Sequence, residues 1–154
     1  RVSCTGVDGS DMMLAFGLQH VRAAGLELRI TLEKRYLPDP SLATRIFDGV
    51  ISNSLLHHVA EPIALWRTLE RCAKRGAPVM LVDLLRPVDH ETAVRLVHEH
   101  ATDAPPILQR DFIASLHAAY TTDEVRLQLI SAGLSTFQVD QVDELHFVVW
   151  GTVI

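Results

Sequence analysis

The sequence predicts an α/β fold: a Rossmann-like, mostly parallel sheet with flanking helices and a C-terminal antiparallel hairpin. Three observations predict it. Extended and amphipathic helical segments alternate three times before residue 85, the rhythm of parallel strands joined by crossover helices. The run PVMLVDLL at 78–85 is the most hydrophobic strand pattern in the chain, as expected inside such a sheet. Two extended runs, 135–141 and 145–153, are separated only by VDE, a link short enough to imply a hairpin.

Each element has a local justification. Residues 2–7 (VSCTGV) read as a strand ending at Asp8 and Gly9, so the chain opens from Arg1 directly into a strand pattern. Ser10 and Asp11 suit the start of a helix over 11–24, with Met13, Phe16, Gly17, His20 and Ala24 along one stripe and Gly25 as its stop. Residues 26–32 (LELRITL) alternate apolar and polar, predicting a strand with one exposed face, ended by Glu33. After Pro38 and Pro40, residues 48–56 (DGVISNSLL) read as a buried strand running into a loop with His57 and His58. Pro62 suits the first turn of a helix whose apolar face is Ile63, Trp66, Leu69, Cys72 and Ala73, with Gly76 ending it. Residues 88–120 break the rhythm with two consecutive helical patterns, the second carrying Leu108, Phe112, Leu116 and Tyr120 at spacing four. Thr121 and Glu124 form a capping box for a helix through Ala132, closed by Gly133.

Composition narrows the function. A chain of 154 residues, 48% hydrophobic and 21% charged, fits one domain with an ordinary core. Lys and Arg total 14 against 19 for Asp and Glu, a net charge of -5, so no basic surface exists to follow a nucleic-acid backbone. Cys4 and Cys72 lie in apolar contexts without CxxC spacing and read as buried free thiols, which suits a reducing cytoplasmic setting. No apolar run approaches the roughly 20 residues of a membrane span. No metal site is expected: the segment HETAVRLVHEH lacks the HExxH arrangement, and its histidines read as solvated. No GxSxG elbow exposes a nucleophilic serine, and the strand that would end in Lys in a phosphoacceptor domain ends here in Asp83.

Ligands of open parallel sheets bind beyond the carboxyl ends of the strands. Asp8, Glu33, Asn53 and Asp83 each fall at or just past such an end. Asp and Asn favour strand ends for local reasons, so one alone says little; four together designate a site. An acid in the place of Asp8 can accept hydrogen bonds from both hydroxyls of a ribose, and Met12 or Met13 can lie against an adenine face. Glu33 can take the adenine amino group or remain a solvated strand-end charge.

The stretches GVDGSDMML at 6–14, FDGVISNSLLHHVAEP at 47–62, RCAKRGAPVMLVDLLRP at 71–87 and YTTDEVRLQLISAGL at 120–134 resemble, in order and spacing, successive motifs of class I S-adenosylmethionine-dependent methyltransferases. The resemblance covers nearly all 154 residues and is nearest the branch that includes ubiquinone and menaquinone biosynthesis methyltransferases. It implies that Asp8, with Gly9 beside it, holds the cofactor ribose, that Met12 or Met13 contacts adenine, and that Glu33 replaces the commoner Asp that reads the adenine amino group. It also implies that Ser52, Asn53 and Ser54 pass beside the methionine part of the cofactor, with Leu56 and the His pair leading toward the acceptor.

Two departures stand out. Gly76 and Ala77 replace the usual GG pair, and nothing matches the glycine-rich GxGxG loop after the family's first strand. The chain therefore reads as a methyltransferase-like domain over 1–154 that begins at the family's second strand. The first strand, central in that sheet, is then omitted, supplied by another chain, or replaced by closure of its two neighbours; omission is the favoured expectation. The implied activity is methyl transfer from S-adenosylmethionine to a small or amphipathic molecule, with 88–120 an insertion over the acceptor side. His57, His58 and Asp83 are the candidate groups for removing a proton from the acceptor. The alternative is a non-catalytic methyltransferase-like module serving in protein association, and a homodimer is compatible with either reading.

Overall fold

The computed structural model describes residues 2–42 and 44–154; Arg1 and Ala43 lie outside the described residues. The chain divides into two compact units, one ending at Ser41 and the other starting at Leu42.

The first unit is a strand, helix, strand unit. Strand β1 (Cys4–Asp8) pairs in parallel with β2 (Ile30–Lys34), and helix α1 (Asp11–Ala23) connects them. Ser10 caps α1 as expected, its hydroxyl accepting from the Met13 N–H at 3.3 Å. Leu32 fills the space that two glycines leave: a Cβ on Gly6 would meet its Cδ2 at 2.9 Å and one on Gly17 its Cδ1 at 3.1 Å. Three expectations are corrected here. The second strand lies at Ile30–Lys34 rather than 26–32, because Leu26 to Arg29 continue the helix end in turns, with Arg29 and Ile30 N–H both bonded to the Leu26 carbonyl. The packed stripe of α1 is Leu14, Gly17 and Val21, offset from the expected one, and leaves Met13, Phe16 and His20 exposed. Cys4 is exposed rather than buried, since no described element covers that side of the short strand.

The second unit is built on a four-stranded sheet in the order β3 (Val50–Asn53), β4 (Pro78–Leu84), β6 (His146–Thr152), β5 (Gln138–Gln141). Strands β3 and β4 are parallel, while β6 runs antiparallel to both β4 and β5. The expected hairpin is present, and its second strand is the one inserted beside β4. The pair β1–β2 and these four strands are separate sheets.

One face of this sheet is sealed. Val79, Leu81, Phe147, Val149 and Val139 point toward the side where α2 (Pro62–Cys72) and α5 (Thr122–Ala132) pack, and Leu65, Trp66, Leu69, Val125 and Leu129 are buried with them. Fully burying a residue of this size contributes on the order of 1.5–3 kcal/mol, so this layer dominates the unit's stability. The capping box of α5 is complete, with Thr121 and Glu124 bonded reciprocally, and Gly133 closes the helix at φ 80°. The opposite sheet face carries Ile51, Met80 and Trp150 in one cross-strand row, 73%, 43% and 50% exposed. Residues 88–120 form the two expected helices, α3 (His90–Ala101) and α4 (Pro106–Ala118). They make a second core with Leu84 and Leu145 through Ala93, Leu96, Val97, Leu116 and Ala119.

Candidate active site

In the first unit the parallel pairing puts both strand ends on one edge, with Asp8 opposite Lys34 and Glu33 opposite Val7. Asp8 accepts the Ser10 N–H through Oδ1 at 2.7 Å, a local turn that fixes the carboxylate at the start of α1. Its Oδ2 has no hydrogen-bond partner among the described residues, and the residue is exposed. Met12 and Met13, 81% and 57% exposed, add bare apolar surface on the first turn of α1. Glu33 is the next-to-last residue of β2, as Asp83 is of β4, and its Oε2 accepts from Arg35 Nε at 3.0 Å and Nη2 at 2.7 Å. Arg35 also bonds Asp39 and Ser41, and Asp39, held chiefly by the Ser41 hydroxyl and N–H and then by Arg35, has its pKa lowered to about 2. Only one oxygen of Glu33 is therefore unengaged.

Two residues here escaped the reading of the sequence. Tyr36 packs so closely that a Cβ on Gly9 would meet its ring at 2.9 Å, which places an exposed aromatic face beside Asp8. Arg35, two positions from Glu33, is the cation that engages it. The i, i+2 spacing of Glu33 and Arg35, across the end of β2, signals the second contact; nothing local signals the first.

In the second unit, parallel β3 and β4 bring Asn53 and Asp83 to one edge, with Asn53 in register with Val82. Ser52 is buried with Leu81 on the sealed side, and its Oγ has no hydrogen-bond partner, so its backbone alone can face a ligand. Asn53 and Ser54 are exposed, and Asn53 Nδ2 donates to Ser54 Oγ at 3.2 Å. Ser54 has φ 50°, in the left-handed region that a serine adopts only when its surroundings compel it. The compelling contact is its N–H, bonded to the Val82 carbonyl at 2.9 Å, which extends the β3–β4 ladder by one bond and turns the chain sharply outward.

The turn continues as a short 3-10 helix, Leu56–His58, tied down by Asp83. The Asp83 side chain is 1% exposed and accepts three hydrogen bonds: from Leu56 N at 2.6 Å, Leu84 N at 2.8 Å and His57 Nδ1 at 2.5 Å. Hydrogen bonds to a charged acceptor are worth roughly 1.5–3 kcal/mol each, and three of them are what make a buried carboxylate tolerable. Asp83 thus has no exposed oxygen with which to meet an acceptor. The His57 side chain is 4% exposed, and its Nε2 has no hydrogen-bond partner among the described residues. The His58 ring lies tilted at 43° against His57 with centroids 4.0 Å apart, and the water lost on its packed side, followed by the neighbouring His57, lowers its pKa. Helix α4 packs directly against this 3-10 turn.

The methyltransferase domain family matches residues 2–81, just over half of the chain. The chain belongs to this methyltransferase domain family. Its matched part includes Asp8 at one end of the motif series and His57 and His58 further on. Demethylmenaquinone methyltransferase of Porphyromonas gingivalis is 34% identical over 84 residues, 54% of this chain and 34% of that protein. The chain spans about a third of the length of this relative. Among solved structures, a SAM-dependent methyltransferase from Aquifex aeolicus superimposes with a TM-score of 0.71 at 19% identity, covering 99% of this chain and 69% of that one. Geranyl diphosphate methyltransferase in complex with SAM does so with a TM-score of 0.68 at 9% identity, covering 99% and 69%. These likenesses show that the methyltransferase domain has the Rossmann-like fold of SAM-dependent methyltransferases. Among the described residues no group of three or more His, Cys, Asp and Glu is placed to hold a metal ion, and no helix is long and apolar enough to cross a membrane.

Proposed function

We propose that the protein binds S-adenosylmethionine and transfers its methyl group to a small or amphipathic acceptor. The observation that carries this reading is the match of residues 2–81 to the methyltransferase domain family, which spans both the open Asp8 carboxylate and the fixed His57 ring. The cofactor supplies an electrophilic sulfonium methyl, and the chain supplies alignment. The residues present fit it. Asp8 accepts from the ribose through its unengaged Oδ2, Met12 or Met13 and the exposed Tyr36 face offer apolar surface to the adenine, and the unengaged oxygen of Glu33 takes the amino group. Asn53 and Ser54, with the backbone of Ser52, border the methionine part, and the strain at Ser54 is consistent with a turn held open for a ligand.

His57 is the proton acceptor. Its Nδ1 donates to Asp83, which leaves the Nε2 lone pair for the acceptor's proton, and Asp83 is a positioning residue that fixes ring and tautomer. His58, its pKa lowered, stays neutral beside it. The packing of α4 on the histidine turn supports 88–120 as the cover of the acceptor side. An amphipathic acceptor is favoured by the likeness to a demethylmenaquinone methyltransferase and by the acidic net charge, which disfavours nucleic acid.

Calorimetric titration of the complete natural polypeptide with S-adenosylmethionine tests the reading. Binding with micromolar affinity, abolished or weakened at least tenfold by Asp8→Ala, is expected. Absence of binding overturns it in favour of a non-catalytic module. His57→Gln should depress kcat with KM for the cofactor unchanged, and an unaltered kcat would remove His57 from the chemistry.

A further inference from the structure

We propose that His90 and His117 form a two-histidine site for a divalent transition-metal ion, of the Cu2+, Ni2+ or Zn2+ class, at the joined ends of α3 and α4. The two residues are 27 positions apart and lie on different helices, yet His90 Nδ1 and His117 Nε2 approach to 3.0 Å. Their rings are nearly parallel, 14° apart, with centroids at 5.2 Å, so the contact is made edge to edge by the nitrogens themselves. Both side chains are exposed, and both backbones are held in regular helix.

The neutral pair shares one proton in this contact, and the same two nitrogens can instead ligate one cation. Metal–imidazole bonds of ~2.0–2.1 Å at cis angles between square and tetrahedral place the two nitrogens about 2.9–3.4 Å apart, which includes the separation found here. Each ring must turn by roughly 40° to aim its lone pair at an ion lying off the N–N line, a side-chain rotation that both exposed residues allow without moving either helix. Ala93, Leu96, Val97 and Leu116 hold the two helices in the same core, so most of the cost of bringing the ligands together is met by folding. No third His, Cys, Asp or Glu completes the group among the described residues, so water fills the remaining positions. The ligand set is pure imidazole, which favours Cu2+ over Ni2+ and Zn2+ and rejects Mg2+ and Ca2+. The ion would clasp the start of α3 to the end of α4.

Titration of the full chain with NiCl2 and with CuCl2, followed by calorimetry and by the thermal midpoint, tests this. One ion per chain should bind at this site and raise the midpoint, with MgCl2 inert. His90→Asn and His117→Asn should each weaken that site at least tenfold, and the double variant should be no weaker than either, because a chelate is lost with its first ligand. His98→Asn, an exposed neighbour on α3, should change the affinity less than twofold. A loss below tenfold in either single variant overturns the proposal. A readout without substitutions is paramagnetic Ni2+ in the wild-type chain, which should broaden the ring signals of His90 and His117 before those of the other histidines; uniform broadening would equally refute it.

Discussion

Asp8 and Asp83 are both carboxylates at the carboxyl ends of parallel strands, and they live in opposite physical regimes. Asp8 has one local hydrogen bond to Ser10 N and an oxygen open to solvent. Asp83 is sealed, and its two oxygens receive three N–H groups from Leu56, His57 and Leu84. The first unit has a thin core, with Val21 the buried residue of α1, whereas the second has a complete layer under its sheet. An open carboxylate can meet a ligand at little desolvation cost but fixes nothing beyond its own turn. A buried one cannot meet a ligand but fixes the ring of His57. On the proposed function, Asp8 serves binding and Asp83 serves positioning, each within its own unit.

The largest effect that would break this contrast is expected at Asp83. Asp83→Ala strands two buried backbone N–H groups and the His57 ring, and should destabilise the protein by about 3 kcal/mol in chemical denaturation. A loss below about 1 kcal/mol would mean the carboxylate is not the tie described. Asp8→Ala should do the reverse: at least tenfold weaker S-adenosylmethionine binding, about 1.4 kcal/mol, with folding stability changed by less than about 1 kcal/mol. Equal effects of the two substitutions on stability would erase the distinction.

Ser52→Ala sharpens it further. Its hydroxyl is buried without a partner, so removing it should be neutral or should stabilise by up to about 1 kcal/mol, with cofactor affinity unchanged. A drop in affinity would show that the hydroxyl, and not the backbone alone, faces the ligand. The smallest effect concerns His58, whose pKa is lowered on folding. The unfolded chain then binds more protons than the native one just below the ordinary His value of about 6.5, so stability should fall as pH drops through that value and level off below the native one. His58→Gln should flatten this part of a stability-against-pH curve; an unchanged slope would assign it elsewhere.

Much of this organisation was legible in the sequence because its signals are local. Ser10, the Thr121–Glu124 box and Gly133 act within a turn of where they stand, and each works as expected. Asp8, Asn53 and Asp83 sit at strand ends for the reason that the alternation of strand and helix implies. Glu33 also falls at its strand's end, and what shifted is the strand's start, because LELRITL has a strand-like alternation that the turn after Gly25 overrides in its first half. The stripe of α1 missed because periodicity identifies an apolar face without saying how wide a surface will cover it, and Leu32 covers only the strip at Gly17. Cys4 missed for a related reason: an apolar neighbourhood in sequence does not place a cover over a strand.

By itself the sequence determined the alternation of elements, their caps, the hairpin and the family motifs, since each depends on residues within a few positions of one another. Only the tertiary structure decided which of two strand-end acids would be sealed, that Tyr36 would lie on Gly9, that Ile51, Met80 and Trp150 would form an open row, and that His90 would face His117. Those outcomes depend on contacts between residues far apart in the chain. Burial and pairing are properties of the surfaces that meet, and a local pattern can specify one surface but not its partner.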